Sequence, residues 1–141
     1  MGRDSQNRTA LERHWAASVA GDLDTEHEIY HDDVVVEYPQ SGERIRGRDS
    51  LRAVRVHHPS RMEYAVQRIT GHGDVWVTEG VSGYGPSTVR TVSVMEFRDG
   101  RVLRETQYFA EPFDAPQWRM PWVETGELSE DWSDGTDDGS A

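Results

Sequence analysis

Glu105 and Gln107 stand two residues apart in a run, residues 101–109, that alternates as a β-strand does. Period-2 alternation sets Leu103, Glu105, Gln107 and Phe109 on one face, and Val102, Arg104, Thr106 and Tyr108 on the other. A carboxylate that shares a face with a buried Phe109 loses solvation. Desolvation raises its proton affinity and suits it to general acid or base chemistry. The competing arrangement is a structural ion pair with Arg90 or Arg104.

Three further groups have chemistry in reach. Glu79 lies in residues 75–84, where Val77, Glu79 and Val81 share one face and Trp76, Thr78 and Gly80 the other. Two close carboxylates, Glu79 and Glu105, would split their proton affinities into one acid and one base; apart, they are two solvated or arginine-paired acids. His14 shares a helix face with Leu11 and Trp15, as an acid–base imidazole or as a satisfied core residue. Tyr38 is too weak an acid to serve as a base at neutral pH, but its phenol can donate to a substrate oxygen. Trp15, Tyr64, Trp76 and Phe109 offer faces for a flat ligand, or are ordinary packing.

Metal chemistry is not expected. There is no cysteine, and the adjacent His57 and His58 cannot share one side of a helix. The cations are all arginine, which excludes Schiff-base lysine chemistry. No cofactor is expected.

The elements that must position these groups follow from periodicity and breakers. Thr9 and Glu12 form a capping box, so a first helix is expected near 9–20, with Leu11, Trp15 and Val19 as its stripe and Gly21 as its stop. A second helix near 24–31 follows an Asp24 cap, and a third near 48–57, capped by Asp49 or Ser50, sets Leu51, Val54 and His58 on one face. Val34 to Tyr38 reads as a strand ended by Pro39, with a short strand over residues 43–46. Residues 62–70, 75–84, 88–98 and 101–109 read as four long strands, the last two joined by an Asp99-Gly100 hairpin turn. Helices followed by strands indicate an α+β domain.

Two segments carry a family resemblance. One is Gly21-Asp22-Leu23-Asp24 followed by Tyr30-His31-Asp32-Asp33-Val34-Val35-Val36-Glu37-Tyr38-Pro39. The other is Val92-Ser93-Val94-Met95-Glu96-Phe97-Arg98-Asp99-Gly100-Arg101-Val102. Together they resemble the nuclear-transport-factor-2-like superfamily, in its SnoaL-like and ketosteroid-isomerase-like branch, over residues 9 to 124. The resemblance implies a cone-shaped, strongly bent, mainly antiparallel sheet with three N-terminal helices packed on it, a cystatin-like roll around a pocket. It implies that Glu105 and Gln107 line that pocket and, by alignment, that Glu79 does too. The hydroxyl donor of the ketosteroid isomerases falls on His14, their proton-abstracting Asp on Tyr38 and their second oxyanion donor near Ser93. All three residue types differ. The SnoaL-like cyclases carry a His and an Asp on the last strand, where this chain has Glu105 and Gln107.

Glu105, His14 and Tyr38 are therefore the catalytic candidates. Glu79, Gln107, Trp15, Trp76, Tyr64 and Phe109 are the substrate-binding ones. The expected function is binding of a small hydrophobic molecule. Cofactor-free isomerase, cyclase, dehydratase or hydrolase chemistry on a carbonyl or hydroxyl compound is one form of it, and a non-catalytic binder or dimeric scaffold the alternative. The resemblance implies a homodimer through the outer sheet face, with Thr88, Val92, Val94 and Tyr108 on it.

Composition bounds the rest. The 141 residues carry a net charge of −11, which does not favour nucleic acid. From Thr125 onward the chain is acidic and Gly/Ser-rich, so residues 125–141 are expected to be a disordered tail. Residues 110–124 hold three prolines, Phe113, Trp118 and Trp122, and read as an arm belonging to a single domain over 1–124. No apolar run is long enough to span a membrane, and the polar N-terminus has no apolar signal core, so a cytoplasmic location is expected.

Overall fold

The computed structural model describes residues 2–59, 63–84 and 87–126. The acidic segment from Glu127 onward, and part of the expected turn at 84–87, lie outside them. Contacts divide the chain into two units, Met1–Ala110 and Glu111–Ala141.

The first unit opens with helix α1 (Arg3–Ala20) and the short helix α2 (Leu23–His27). Strands β1 (Tyr30–Tyr38) and β2 (Glu43–Arg46) follow, then helix α3 (Arg48–Val56). Strands β3 (Glu63–His72), β4 (Val75–Tyr84), β5 (Ser87–Arg98) and β6 (Arg101–Ala110) complete it. All six strands form one open sheet in the order β2-β1-β6-β5-β4-β3. Only β1 and β6 pair in parallel; the other neighbours are antiparallel. This is the α+β architecture expected, with helices at the N-terminus and a mixed, mainly antiparallel sheet.

The α1 helix starts six residues before the expected capping box. The β3–β4 turn explains this: Asp4 accepts from the Gly73 N–H at 2.7 Å, and Asn7 donates to the Gly73 carbonyl at 2.9 Å. Gly21, at φ 77°, ends the helix in the left-handed conformation. The α2 helix stops at His27 rather than running to 31, because the chain then joins the sheet: the Val102 N–H bonds to the Ile29 carbonyl at 2.8 Å.

The inner face, packed on the helices, buries Leu11, Trp15, Val34, Val36, Leu51, Trp76, Met95, Phe97 and Val102. Three expected core residues do not join them, and one of these, Phe109, is half-buried. Val19 and Val54 are 52 % and 45 % exposed. Asn7, Leu11 and His14 form the inward stripe of α1, and on α3 it is Leu51 and Arg55, one turn apart, that face inward.

Strand parity also shifts once. The pairing between β5 and β6 is irregular where Glu96 opposes Arg104 and Phe97 opposes Val102. Leu103 is the extra residue, and a bulge of this kind resets alternation. Val102 and Glu105 are consequently both fully buried, and Leu103 is half-buried. The Asp99-Gly100 turn has positive φ at both residues, 52° and 82°, as a tight hairpin of this hand requires.

In the second unit, Pro116 precedes a 3-10 helix (Gln117–Trp122), with Pro121 inside it. The Arg119 guanidinium lies over the Trp118 ring at 5.7 Å. No helix among the described residues is long and apolar enough to cross a membrane.

Candidate functional site

Glu105 is fully excluded from solvent, and both its oxygens are held by hydroxyls. The Tyr30 phenol donates to Oε1 at 2.7 Å, and Ser93 Oγ donates to Oε2 at 2.6 Å. These partners come from the strands that flank β6 on either side, so the sheet itself assembles the group. Burial falls off along the same face, from Glu105 to half-buried Gln107 and Phe109, and from buried Val36 to half-buried Tyr38 on β1. Tyr38 and Phe109 meet edge to face at 5.3 Å.

Arg55 stands behind this carboxylate. Its Nη2 donates to the Tyr30 hydroxyl at 3.1 Å and lies 3.9 Å from Glu105 Oε1. Its Nη1 lies 3.4 Å from Glu26 Oε2 and donates to His27 Nε2 at 3.2 Å. Burial opposes the charge on Arg55, but Tyr30, Glu105 and Glu26 outweigh it and hold the guanidinium protonated. Burial pushes the Tyr30 phenol well above its ordinary range, so it remains a hydrogen-bond donor. Burial also raises Glu26, against the opposing pull of Arg55.

A second cluster covers the β3–β4 side. Trp15 and Tyr64 lie 5.0 Å apart with their planes 30° from parallel. Trp15 Nε1 donates to Thr78 Oγ1 at 3.0 Å, and the Tyr64 hydroxyl meets Thr91 Oγ1 at 3.2 Å. Gly80 is needed here because a Cβ would stand 2.2 Å from the Tyr64 oxygen. The Ser82 hydroxyl, on the same face and buried, has no partner among the described residues.

The structure does not bring all the expected groups together. Glu79 lies on the outer face, paired with Arg68 at 2.5 Å, because Trp76, Thr78 and Ser82 are the buried parity of β4. It cannot form a carboxylate pair with Glu105. The expected partners of Glu105 are also elsewhere: Arg104 bonds Glu37 at 2.8 Å on the outside, and Arg90 donates to Gln67 at 3.3 Å. Trp76 is on the inner face but is spent on the core, donating to the Gly73 carbonyl with Arg8 over its ring.

His14 makes no hydrogen bond to Glu105; its ring meets Tyr30 edge-on at 5.5 Å and Trp15 at 4.5 Å. Its Nδ1 donates to the Glu26 carbonyl at 2.7 Å, which fixes the tautomer. Burial, then the nearby Arg55, lowers its pKa to about 3, so the ring is neutral. The remaining Nε2 has no partner among the described residues. His14 also lines a cavity of about 270 Å³ beside α1 and α2, with Ala10, Arg13, Glu28, Ile29 and Arg101. No other expected site residue reaches that cavity.

Tyr30, Arg55, Glu26 and His27 were not legible as site residues. Tyr30 falls at an expected helix end, and Arg55 looks like one of many surface arginines. The available signal was its i, i+4 spacing from Leu51, which places both on one face. Among the described residues, no three His, Asp or Glu side chains are grouped to hold a metal ion.

Comparisons with known proteins agree with this architecture. The model of the SnoaL-like domain matches residues 11–105. A nuclear-transport-factor-2-like protein of unknown function from Burkholderia xenovorans LB400 is 52 % identical, with a TM-score of 0.79, over 87 % of this chain and 97 % of that one. A Kribbella flavida DSM 17836 protein with a provisional ketosteroid isomerase designation is 23 % identical, with a TM-score of 0.83, over 89 % and 93 %. An LEH-like epoxide hydrolase of M. tuberculosis is 27 % identical, with a TM-score of 0.63, over 77 % and 85 %. A search of curated proteins finds no match.

Proposed function

The chain belongs to the SnoaL-like domain family, and from that premise we propose that it binds a small hydrophobic molecule bearing a carbonyl or hydroxyl group. Glu105 is its proton-transfer group, in acid–base chemistry that uses no cofactor. The observation that carries this reading is a carboxylate with no solvent exposure, held by Tyr30 and Ser93 on the inner face. Burying such a charge costs several kcal/mol in real proteins, roughly, and a group kept there has a partner or a task.

The chemistry follows from the donors. One oxygen of Glu105 takes a proton from carbon or oxygen next to a substrate carbonyl. Tyr30, backed by the Arg55 guanidinium, adjusts its hydrogen bond as the carboxylate becomes neutral. Half-buried Tyr38, Gln107 and Phe109 form the approach along the strands, and Trp15 and Tyr64 supply aromatic wall.

A deuterium-exchange assay tests it. 2-Tetralone has acidic protons next to its carbonyl, and the wild-type protein should speed their exchange in D2O, read by proton NMR. Exchange at the buffer rate, together with no binding of the flat phenol 2-naphthol, rejects the reading.

One observation favours a second reading. Glu105, Tyr30, Ser93 and Arg55 satisfy one another without any ligand, as a structural network does. In that case the chain is a non-catalytic binder, and 2-naphthol binds without exchange of 2-tetralone.

The outer face of the sheet supports a homodimer. Val92 and Val94 lie on it half-buried, and Tyr108 is 41 % exposed. Residues 110–124 are proposed to belong functionally to the SnoaL-like domain, and 125–141 to be dispensable for binding in the cytoplasm. Sedimentation at micromolar concentration and a chain cut after Glu124 test these two points.

A further inference from the structure

The Arg55 guanidinium divides its donors in an unequal way. It lies near two carboxylates, yet it makes no tight pair with the one that is wholly buried. Nη2 stops 3.9 Å from Glu105 and instead donates to the Tyr30 oxygen at 3.1 Å. Nη1 is turned to α2, between Glu26 Oε2 at 3.4 Å and His27 Nε2 at 3.2 Å.

Two features make α2 a firm anchor. His27 Nδ1 lies 2.8 Å from the Leu23 carbonyl, an acceptor only, so Nδ1 carries the proton and Nε2 presents a lone pair to Arg55. Asp22 caps the same helix by accepting from the Thr25 N–H at 3.2 Å. Without this anchor the guanidinium would be drawn to the buried carboxylate. An arginine–carboxylate fork closes to about 2.7–2.9 Å and takes both oxygens.

We propose that His27 and Glu26 are positioning residues that hold Arg55 back from Glu105, so that the carboxylate is bonded by two hydroxyls and keeps lone pairs for a substrate. The inference rests on the reading of Glu105 as the proton-transfer group. It assigns α2, which contributes no group to the reacting atoms, the task of keeping that carboxylate open.

The test compares His27→Phe, which keeps a flat ring but removes the acceptor, with His27→Gln, which keeps an acceptor. Crystal structures of both variants give the distance from Arg55 to Glu105, and titration with 2-naphthol gives affinity. In His27→Phe the gap should close to hydrogen-bond distance and 2-naphthol affinity should fall about tenfold or more. His27→Gln should restore both. An unchanged gap in His27→Phe overturns the proposal, and so does a glutamine variant as impaired as the phenylalanine one. Should His27→Phe not fold, Glu26→Gln weakens the same Nη1 anchor and must also shorten the gap. A wild-type protein that neither binds 2-naphthol nor speeds 2-tetralone exchange defeats the ligand-binding reading and not this inference. The distance between Arg55 and Glu105 in the variants still decides this inference.

Discussion

Tyr30 donates its phenolic proton to Glu105 over 2.7 Å, and so ties the first residue of β1 to the middle of β6 through their side chains. Their backbones run in parallel but share only a broken register, with an irregularity between Tyr30 and Val35. The side-chain bond spans that irregularity. Tyr30 is also the acceptor for Arg55, so three elements meet at one oxygen.

Tyr30→Phe keeps the ring and removes that oxygen. It leaves Glu105 Oε1 without its short bond and Arg55 Nη2 without its acceptor. Loss of a buried hydrogen bond to a charged group costs about 1.5–3 kcal/mol. Urea unfolding should show a drop of that order. A loss under about 0.5 kcal/mol, the ordinary range for a neutral surface change, would mean that water replaces the phenol without cost.

Gly80→Ala should disturb the aromatic wall. The new Cβ would stand 2.2 Å from the Tyr64 oxygen and 2.4 Å from its Cζ, so the ring must leave its place against Trp15. Overpacking of this kind costs about 1–3 kcal/mol. Near-ultraviolet circular dichroism should change, and Tyr64→Ala in the same chain should recover most of the loss. A double variant whose loss equals the sum of the Gly80→Ala and Tyr64→Ala losses would show that the two residues do not couple.

The general fold was legible because its signals are local. The Asp99-Gly100 turn, the Gly21 stop and the alternation of β4 and β5 each act within a few residues. The burial of Glu105 was legible too, although the parity argument reached it through a strand that in fact carries a bulge at Leu103. Its partners were not. Ser93 was marked only by resemblance, and Tyr30 and Arg55 lie 75 and 50 positions away along the chain, a pairing that only the tertiary fold creates. Glu79 was misplaced for the opposite reason. Parity divides a strand into two faces but does not say which one the helices cover.

Stability should fall on the acid side of neutrality through His14. Its folded pKa, about 3, lies below the ordinary histidine value of about 6.5. Between those values the unfolded chain binds a proton that the folded one refuses. The stabilisation is therefore complete above about pH 6.5 and is lost as pH falls toward 3. His27, also lowered by burial, acts in the same direction. His14 contributes a slope of about 1.4 kcal/mol per pH unit between those two values. Urea unfolding at a series of pH values should show this slope, and His14→Leu should remove part of it. A flat profile between pH 6.5 and 5 would contradict a neutral buried His14.

Glu79→Gln separates the outer face from the inner one. The pair with Arg68 is partly exposed, with about a quarter to a third of each side chain open to solvent. Exposed ion pairs of this kind contribute about 0–1 kcal/mol. Glu79→Gln should therefore change melting temperature little and leave 2-naphthol affinity within about twofold. A tenfold loss of affinity would show that the ligand reaches the outer face.

Glu105→Gln is the decisive substitution for the acid–base reading. The amide keeps the size of the carboxylate, and its oxygen can still accept from Tyr30, but its nitrogen presents hydrogens to Ser93 where an acceptor stood. Ser93 Oγ can rotate its proton away, and Tyr30 can keep the amide oxygen, so folding should survive. Proton transfer should not, because a neutral amide cannot take a proton at ordinary pH. Positioned general acid–base groups contribute about 10²–10⁴-fold in rate. Exchange of 2-tetralone should slow by that factor while 2-naphthol still binds within about tenfold. A variant that unfolds readily but, where folded, exchanges 2-tetralone at the wild-type rate would assign Glu105 to the architecture of the core, and proton transfer to another group.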